Sequence, residues 1–255
     1  MNIGEIIGDA VRYPFSDWKK LLILGIIIVF TSISSIFQSF VLINDGLSII
    51  LFVVGFVFIG FFARGYQYRI IKSSLNNIDV LPEFDNWISM FVDGIKVSIV
   101  GVIYWIPGIV LLAIVALLFL TQTGSMSPTP SASDISLMIS IVVLIFIAIL
   151  YVIIITPVML MAIAHMANND SKLGSAFNFR DILNKISTNG WINLIIWYIV
   201  TGIIFLVLFI IGIFVTDIIG GLVLNVLRTV LLSLLVLPYL YMYIYRSVAL
   251  FYMSK

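Results

Sequence analysis

This chain offers little chemistry to work with. It has one histidine, no cysteine, twelve carboxylates and thirteen lysines and arginines in 255 residues. A metal site needs several His, Cys or carboxylate groups converging at ligand spacing, and His165 has no His-x-x-x-His partner. Without cysteine there is no thiolate nucleophile and no disulfide. An intramembrane serine protease would need a base inside an apolar run, and an aspartyl type would need two aspartates there. Asp45, Asp134 and Asp217 fall instead in polar connections. Ionisable groups at membrane depth mark proton and ion paths, and none lies deep in an apolar run. The expectation is a non-enzymatic protein with no cofactor and no metal.

The remaining polar groups inside apolar runs are neutral. Thr31, Ser35 and Ser39 are spaced by four and fall on one line of a helix, with Gln38 beside them. Tyr104-Trp105 precedes Pro107-Gly108, and Thr156 precedes Pro157. Thr31, Gln38, Tyr104 and Thr156 are therefore the candidates for lining a polar cavity. Small polar lines also let helices approach and hydrogen-bond, and packing is the favoured reading.

Positioning these residues falls to long helices. The chain is 62% hydrophobic and 10% charged, with ionisable residues missing from Leu21–Leu42, Gly46–Ala63, Val97–Ala132, Ile135–Ala164, Trp191–Thr216 and a last run ending at Tyr245. A helix needs roughly 20 apolar residues to cross a bilayer core. The pattern predicts an all-α polytopic membrane protein of six spans, a single domain over 1–255. Arg12, Lys19 and Lys20 ahead of Leu21 resemble a signal peptide, but the apolar run is too long, so it reads as a retained first span. A net charge of +1 leaves no field to attract nucleic acid. The partners expected are the lipid bilayer and a membrane protein or a second copy of the chain.

Positive residues are retained on the cytoplasmic side. Twelve basic residues fall on one side of the six-span arrangement, and Arg228 alone falls on the other. This predicts a multi-pass cell-membrane protein with both termini cytoplasmic. Arg228 is expected to snorkel to the outer interface. Trp18, Tyr66, Arg69, Trp87, His165, Trp191, Tyr243 and Arg246 stand at the inner ends of the runs, where aromatic and basic residues anchor spans at headgroup level. Thr121 to Ser133 reads as a flexible outer loop.

Spacing suggests three tandem units: 1–76, 77–172 and 173–255. Asp17, Lys20 and Gly25 recur as Asp93, Lys96 and Gly101, and Tyr66-x-Tyr68-Arg69 recurs as Tyr243-x-Tyr245-Arg246. A shift of 96 carries Arg69 onto His165. Each unit would open with an amphipathic elbow helix lying in the interface. Ile3, Ile6, Ile7, Ala10 and Val11 form the apolar face of the first, opposite Glu5, Asp9 and Arg12. Phe84, Trp87, Ile88, Phe91 and Ile95 form the second, with Pro82 at its start, and Phe179, Ile182, Leu183 and Ile186 form the third. Their polar faces are acidic or mixed, which does not suit recruitment to anionic lipid.

The run Ile3-Gly4-Glu5-Ile6-Ile7 through Tyr13-Pro14 and Trp18-Lys19-Lys20, then Gly65-Tyr66 to Arg69, Leu81-Pro82-Glu83-Phe84-Asp85, Trp87 and Asp93-Gly94, resembles the membrane family catalogued as domain of unknown function 4013. The resemblance implies a membrane architecture over nearly the whole chain and carries no activity. The function expected is organising or binding lipid or a membrane partner. The alternative is a permease or flippase for a neutral or amphipathic small molecule.

Overall fold

The computed structural model describes residues 2–39, 45–123, 132–220 and 225–254, and among these every regular element is helical. Asn44, the stretch 124–131 and the Gln38 side chain lie outside the described residues. The helices are α1 (Ile3–Arg12), α2 (Trp18–Thr31), α3 (Ile33–Ser39), α4 (Gly46–Leu75), α5 (Trp87–Thr123), α6 (Ala132–Asn168), α7 (Phe179–Asn189), α8 (Trp191–Gly220) and α9 (Val226–Met253). Five of them, α4, α5, α6, α8 and α9, are long and apolar enough to cross a membrane. Their apolar sides are largely bare. Only 6% of the most apolar stretch of α6 and 11% of that of α5 is buried by protein.

Two expectations change. The run Leu21–Leu42 is not one helix, because α2 stops at Thr31 and α3 begins at Ile33. Thr31 Oγ1 donates to the Ile28 carbonyl at 2.7 Å, and Ser32 adopts φ −95°, ψ 8°. Hydroxyls that bond back to their own helix compete with its backbone ladder and bend it. The second elbow is not a separate helix either. Pro82 does not start one; the chain stays irregular to Asn86, and α5 runs unbroken from Trp87.

The chain forms two compact units, one of Met1–Ser98 with Met161–Lys255 and one of Ile99–Leu160. In the first, α1 begins with a capping box: Asn2 Oδ1 accepts from the Glu5 amide at 2.8 Å, and Glu5 Oε2 accepts from the Asn2 amide at 3.0 Å. Ile6 and Ala10 are buried in protein, and the Tyr239 hydroxyl of α9 donates to the Val11 carbonyl at 2.9 Å. Asp17 caps α2 by accepting from the Lys19 and Lys20 amides. Leu21, Leu24, Ile27 and Ile28 of α2 then build a core with Ala63, Tyr66, Ile70, Leu81, Met90 and Met242. The third amphipathic segment is a separate helix, α7. Ile182 and Ile186 are buried, and Gly190 at φ 91° ends the helix, a conformation that costs glycine nothing.

Close approaches in this unit depend on glycine. A Cβ on Gly65 would run into the Met90 carbonyl oxygen, and one on Gly94 into the Phe61 carbonyl oxygen, so α4 and α5 each present a glycine to the other's backbone. Gly25 faces the Leu234 carbonyl in the same way. Leu234 lies in a π turn of α9, Leu232–Val236, and a second π turn, Val53–Ile59 in α4, places Gly55 against the Phe30 and Thr31 carbonyls. Gly25 and Gly101, matched by spacing in the sequence, have different surroundings, since nothing lies within 4 Å of a Cβ on Gly101.

Serines beside the expected Thr31–Ser35–Ser39 line also make interhelical contacts. Ser32 Oγ lies 3.4 Å from Ser233 Oγ, and Ser34 Oγ donates to the Ser48 carbonyl at 3.0 Å. Ser34→Ala is expected to lower the unfolding midpoint in detergent, costing about 1 kcal/mol for an interhelical hydrogen bond between apolar walls. A midpoint equal to wild type would show that this contact does not form.

In the second unit, Pro107 sits inside α5 without ending it. Proline deprives the Ile103 carbonyl of its helical donor, and the Tyr151 hydroxyl of α6 donates to the next carbonyl, that of Tyr104, at 2.7 Å. A Cβ on Gly108 would lie 3.3 Å from the Tyr151 ring, so the ring occupies the space beside the proline.

Candidate functional site

The segment between α4 and α5, residues 76–86, has no regular structure, so its carbonyls need partners other than a helix. Side chains supply them. Arg246 Nη1 donates to the Ile78 carbonyl at 3.1 Å, and Tyr13 Oη to that of Val80 at 3.2 Å. Lys20 Nζ donates to that of Leu81 at 2.7 Å and Tyr66 Oη to that of Pro82 at 3.1 Å. Arg69 donates to the Asp85 and Asn86 carbonyls at 2.7 and 3.0 Å. Ion pairs repeat the pattern: Lys20 Nζ is 2.8 Å from Glu83 and Arg69 Nη1 is 2.9 Å from Asp85. Phe84 stacks on Tyr66 with ring centroids 3.9 Å apart. The Leu-Pro-Glu-Phe-Asp motif is thus an extended clip, with Leu81 and Phe84 turned to protein and its carbonyls turned to donors.

Arg246 is the centre of the site. Its side chain is 2% exposed, seven residues before the end of α9 at Met253. A guanidinium has five N–H groups in a fixed fork, and here each has an acceptor. Nε donates to Asp9 Oδ1 at 2.7 Å, and Nη2 donates to Asp9 Oδ2 at 3.3 Å and Asp79 Oδ1 at 2.6 Å. Nη1 donates to Ser74 Oγ at 3.0 Å and to the Ile78 carbonyl. The Tyr13 ring lies 4.7 Å below the cation. Arg246 therefore ties α1, the end of α4 and the 76–86 connection to α9.

An open pocket of about 550 Å³ lies over this cluster, lined by Glu5, Gly8, Asp9, Arg12, Tyr13, Ser16, Asp79 and Arg246. Three carboxylates face two guanidinium groups, leaving one net negative charge. Burial pushes the Tyr13 hydroxyl up to about 12 against the opposing pull of Arg246. The unfolded tyrosine ionises near 10.0, so the unfolded chain releases this proton first. The Tyr13 contribution is complete below pH ~10 and is lost as pH rises toward 12. Between those values the unfolding midpoint of wild type should fall more steeply than that of Tyr13→Phe. Parallel slopes would rule out a buried, neutral Tyr13.

A family described as protein of unknown function (DUF4013) matches residues 47–216, more than half of the chain. The chain belongs to this family. The DUF4013 match includes the 76–86 connection, Tyr66 and Arg69, whereas Asp9, Tyr13, Lys20 and Arg246 lie outside it. The match is thus shorter than the near-complete likeness expected from the N-terminal motif. No curated protein and no solved structure matches the chain.

The residues singled out from sequence lie in varied surroundings in this DUF4013 chain. Trp18, Trp87 and Trp191 are half-exposed and each is the first residue of an apolar helix. Arg69 clamps the connection, and His165 Nδ1 is 2.9 Å from the Tyr252 hydroxyl. Tyr66, Tyr243 and Arg246, expected as interfacial anchors, are buried among protein groups, and each has a polar partner there; Tyr243 Oη donates to the Thr201 carbonyl at 3.4 Å. Of the cavity candidates, the Thr31 and Thr156 hydroxyls donate within their own helices, the latter to Val152 at 2.7 Å, and Tyr104 is buried. Sequence reasoning missed Asp9, Tyr13, Ser74 and Asp79. Only the repeated Tyr-x-Tyr-Arg pointed toward their arginine partner.

Proposed function

We propose that the chain is a multi-pass cell-membrane protein that acts without catalysis, organising or binding lipid or a membrane partner through its helix surfaces and end helices. One observation carries this reading: among the described residues, most polar side chains within the apolar runs bond inside the protein, the buried Tyr68 hydroxyl being an exception, and the side chains those helices turn outward are largely apolar. Tyr151 serves Tyr104, Thr156 and Thr31 serve their own turns, and Trp197 Nε1 donates to Ser247 at 2.8 Å. Six spans with both termini cytoplasmic complete the proposal. Residues 18 to 39 of α2 and α3 would extend about 33 Å at 1.5 Å per residue, enough for a hydrocarbon core of about 30 Å. Three tandem units fit the three tryptophans that begin α2, α5 and α8, the middle unit having no break between elbow and span.

Because the chain has no cysteine, single cysteines report topology without background. Labels at Asp45, Ser131 and Asp217 should react from outside the cell, and those at Asn76 and Lys172 only from inside. Outside labelling at Lys172 would overturn the topology. A second reading, a permease or flippase for a neutral or amphipathic small molecule, is favoured by the break of α2–α3 at Ser32 beside the π turn at Ser233, since discontinuous helices line transporter sites. Uptake of such a solute by proteoliposomes, absent in empty vesicles, would replace the first reading with the second.

A further inference from the structure

We propose that the pocket over Arg246 binds the headgroup of a phospholipid carrying a protonated amine, with the lipid tail lying along α2. This inference rests on the lipid-binding reading above and names its site and its ligand class. The charge of the pocket favours an amine. All five N–H groups of Arg246 are taken by Asp9, Asp79, Ser74 and the Ile78 carbonyl, so this cation has no donor left for a headgroup phosphate. The carboxylates retain acceptor capacity. Asp79 is 79% exposed and gives one oxygen to Arg246, and Glu5 is at the exposed start of α1. An ammonium group, with three donors and a positive charge, complements that rim and its net negative charge. Arg12 also faces the pocket from the exposed last turn of α1, where a phosphate one bridge away from the amine would meet it.

The pocket also sits where a headgroup would be. Ser16 of its wall adjoins exposed Phe15, whose ring lies 5.5 Å from that of exposed Trp18 and 5.2 Å from that of Tyr239. Aromatic side chains of this kind settle at the headgroup level. Below them Trp18, Leu22, Ile26 and Phe30 repeat every fourth residue along α2, and all are exposed. They form an apolar track of the kind an acyl chain covers, leading away from the polar pocket.

The test is lipid retention by the purified full chain in detergent, read by native mass spectrometry. Phosphatidylethanolamine and phosphatidylglycerol with identical acyl chains are the probes. Phosphatidylethanolamine should be retained roughly tenfold better, the size of one charge-assisted hydrogen bond. Glu5→Gln keeps the backbone half of the α1 cap, since glutamine serves in a capping box as glutamate does, but loses the Asn2 Nδ2 contact and the first-turn charge; it should lower the preference with only a small fall in the unfolding midpoint. Asp79→Asn should lower it as well. Equal retention of the two lipids, or a preference that survives both substitutions, overturns the site. Displacement by free ethanolamine at equal concentration would identify a soluble amine as the occupant and overturn the lipid assignment. Solute uptake by the reconstituted chain would overturn the parent reading alone, because a headgroup preference is measured without any flux.

Discussion

Gly94→Ala is expected to part α4 from α5 and to be among the most destabilising single methyl additions in the chain. Its Cβ would lie 1.8 Å from the Phe61 carbonyl oxygen. A side chain can rotate out of the way, but a helical carbonyl cannot without breaking its ladder. Overpacking usually costs about 1–3 kcal/mol, and a clash with backbone belongs at or beyond the top of that range, about 3 kcal/mol or more. Gly65→Ala meets the Met90 carbonyl in the same way and should match it. Gly202→Ala is the control: nothing lies within 4 Å of the new methyl, and exchanging glycine for alanine inside a helix is worth up to about 1 kcal/mol in its favour. Unfolding midpoints in one detergent separate these cases. If Gly94→Ala and Gly202→Ala melt together, α4 and α5 do not cross at these glycines.

Arg246→Met should be comparably severe and should release α1. The substitution preserves apolar bulk and removes five hydrogen bonds together. It strips Asp9 of its partner and leaves Ser74 Oγ and the Ile78 carbonyl without this donor. Breaking a fully buried ion pair from one side costs about 3–5 kcal/mol, and because the carboxylates left behind are partly solvated the loss belongs at the lower end, about 3 kcal/mol. Arg246→Lys should rescue little, since an ammonium group cannot reproduce a five-donor planar fork. The two carboxylates should differ. Asp9 meets Nε and Nη2 together and is 37% exposed, whereas Asp79 is 79% exposed. Asp79→Asn should therefore cost less than ~1 kcal/mol, as exposed pairs do, and Asp9→Asn distinctly more. Limited proteolysis of the N-terminal segment reads the effect directly. Cleavage near Arg12 should accelerate in Arg246→Met and Asp9→Asn and remain at the wild-type rate in Asp79→Asn. Wild-type protection of α1 in Arg246→Met would show that its apolar face, not the clamp, holds it.

The sequence by itself determined the helical class, the family and the position of most apolar helices. A run of apolar residues satisfies its backbone only by coiling on itself, and that rule needs no knowledge of neighbours. Amphipathic spacing likewise revealed α1 and α7, where Ile6 with Ala10 and Ile182 with Ile186 turn inward. The Leu-Pro-Glu-Phe-Asp motif was legible as distinctive, but not as an extended clip. Its carbonyls find donors at Lys20, Tyr66 and Arg69, and those of Ile78 and Val80 just before it find Arg246 and Tyr13, so three separate stretches of chain serve carbonyls that a helix there would have consumed. The break at Ser32 was hidden for a related reason. Ser and Thr are tolerated within apolar helices, and only an adjacent π turn with Ser233 gives Ser32 a partner outside its own helix. The burial of Arg246 was least legible of all. Near the end of an apolar helix an arginine reads as an interfacial anchor, and its carboxylate on α1 lies 237 residues away in sequence. Charge pairing at that separation is decided by which helices pack together. That was settled by glycines and carbonyls at the crossings, and it is a property of the tertiary structure alone.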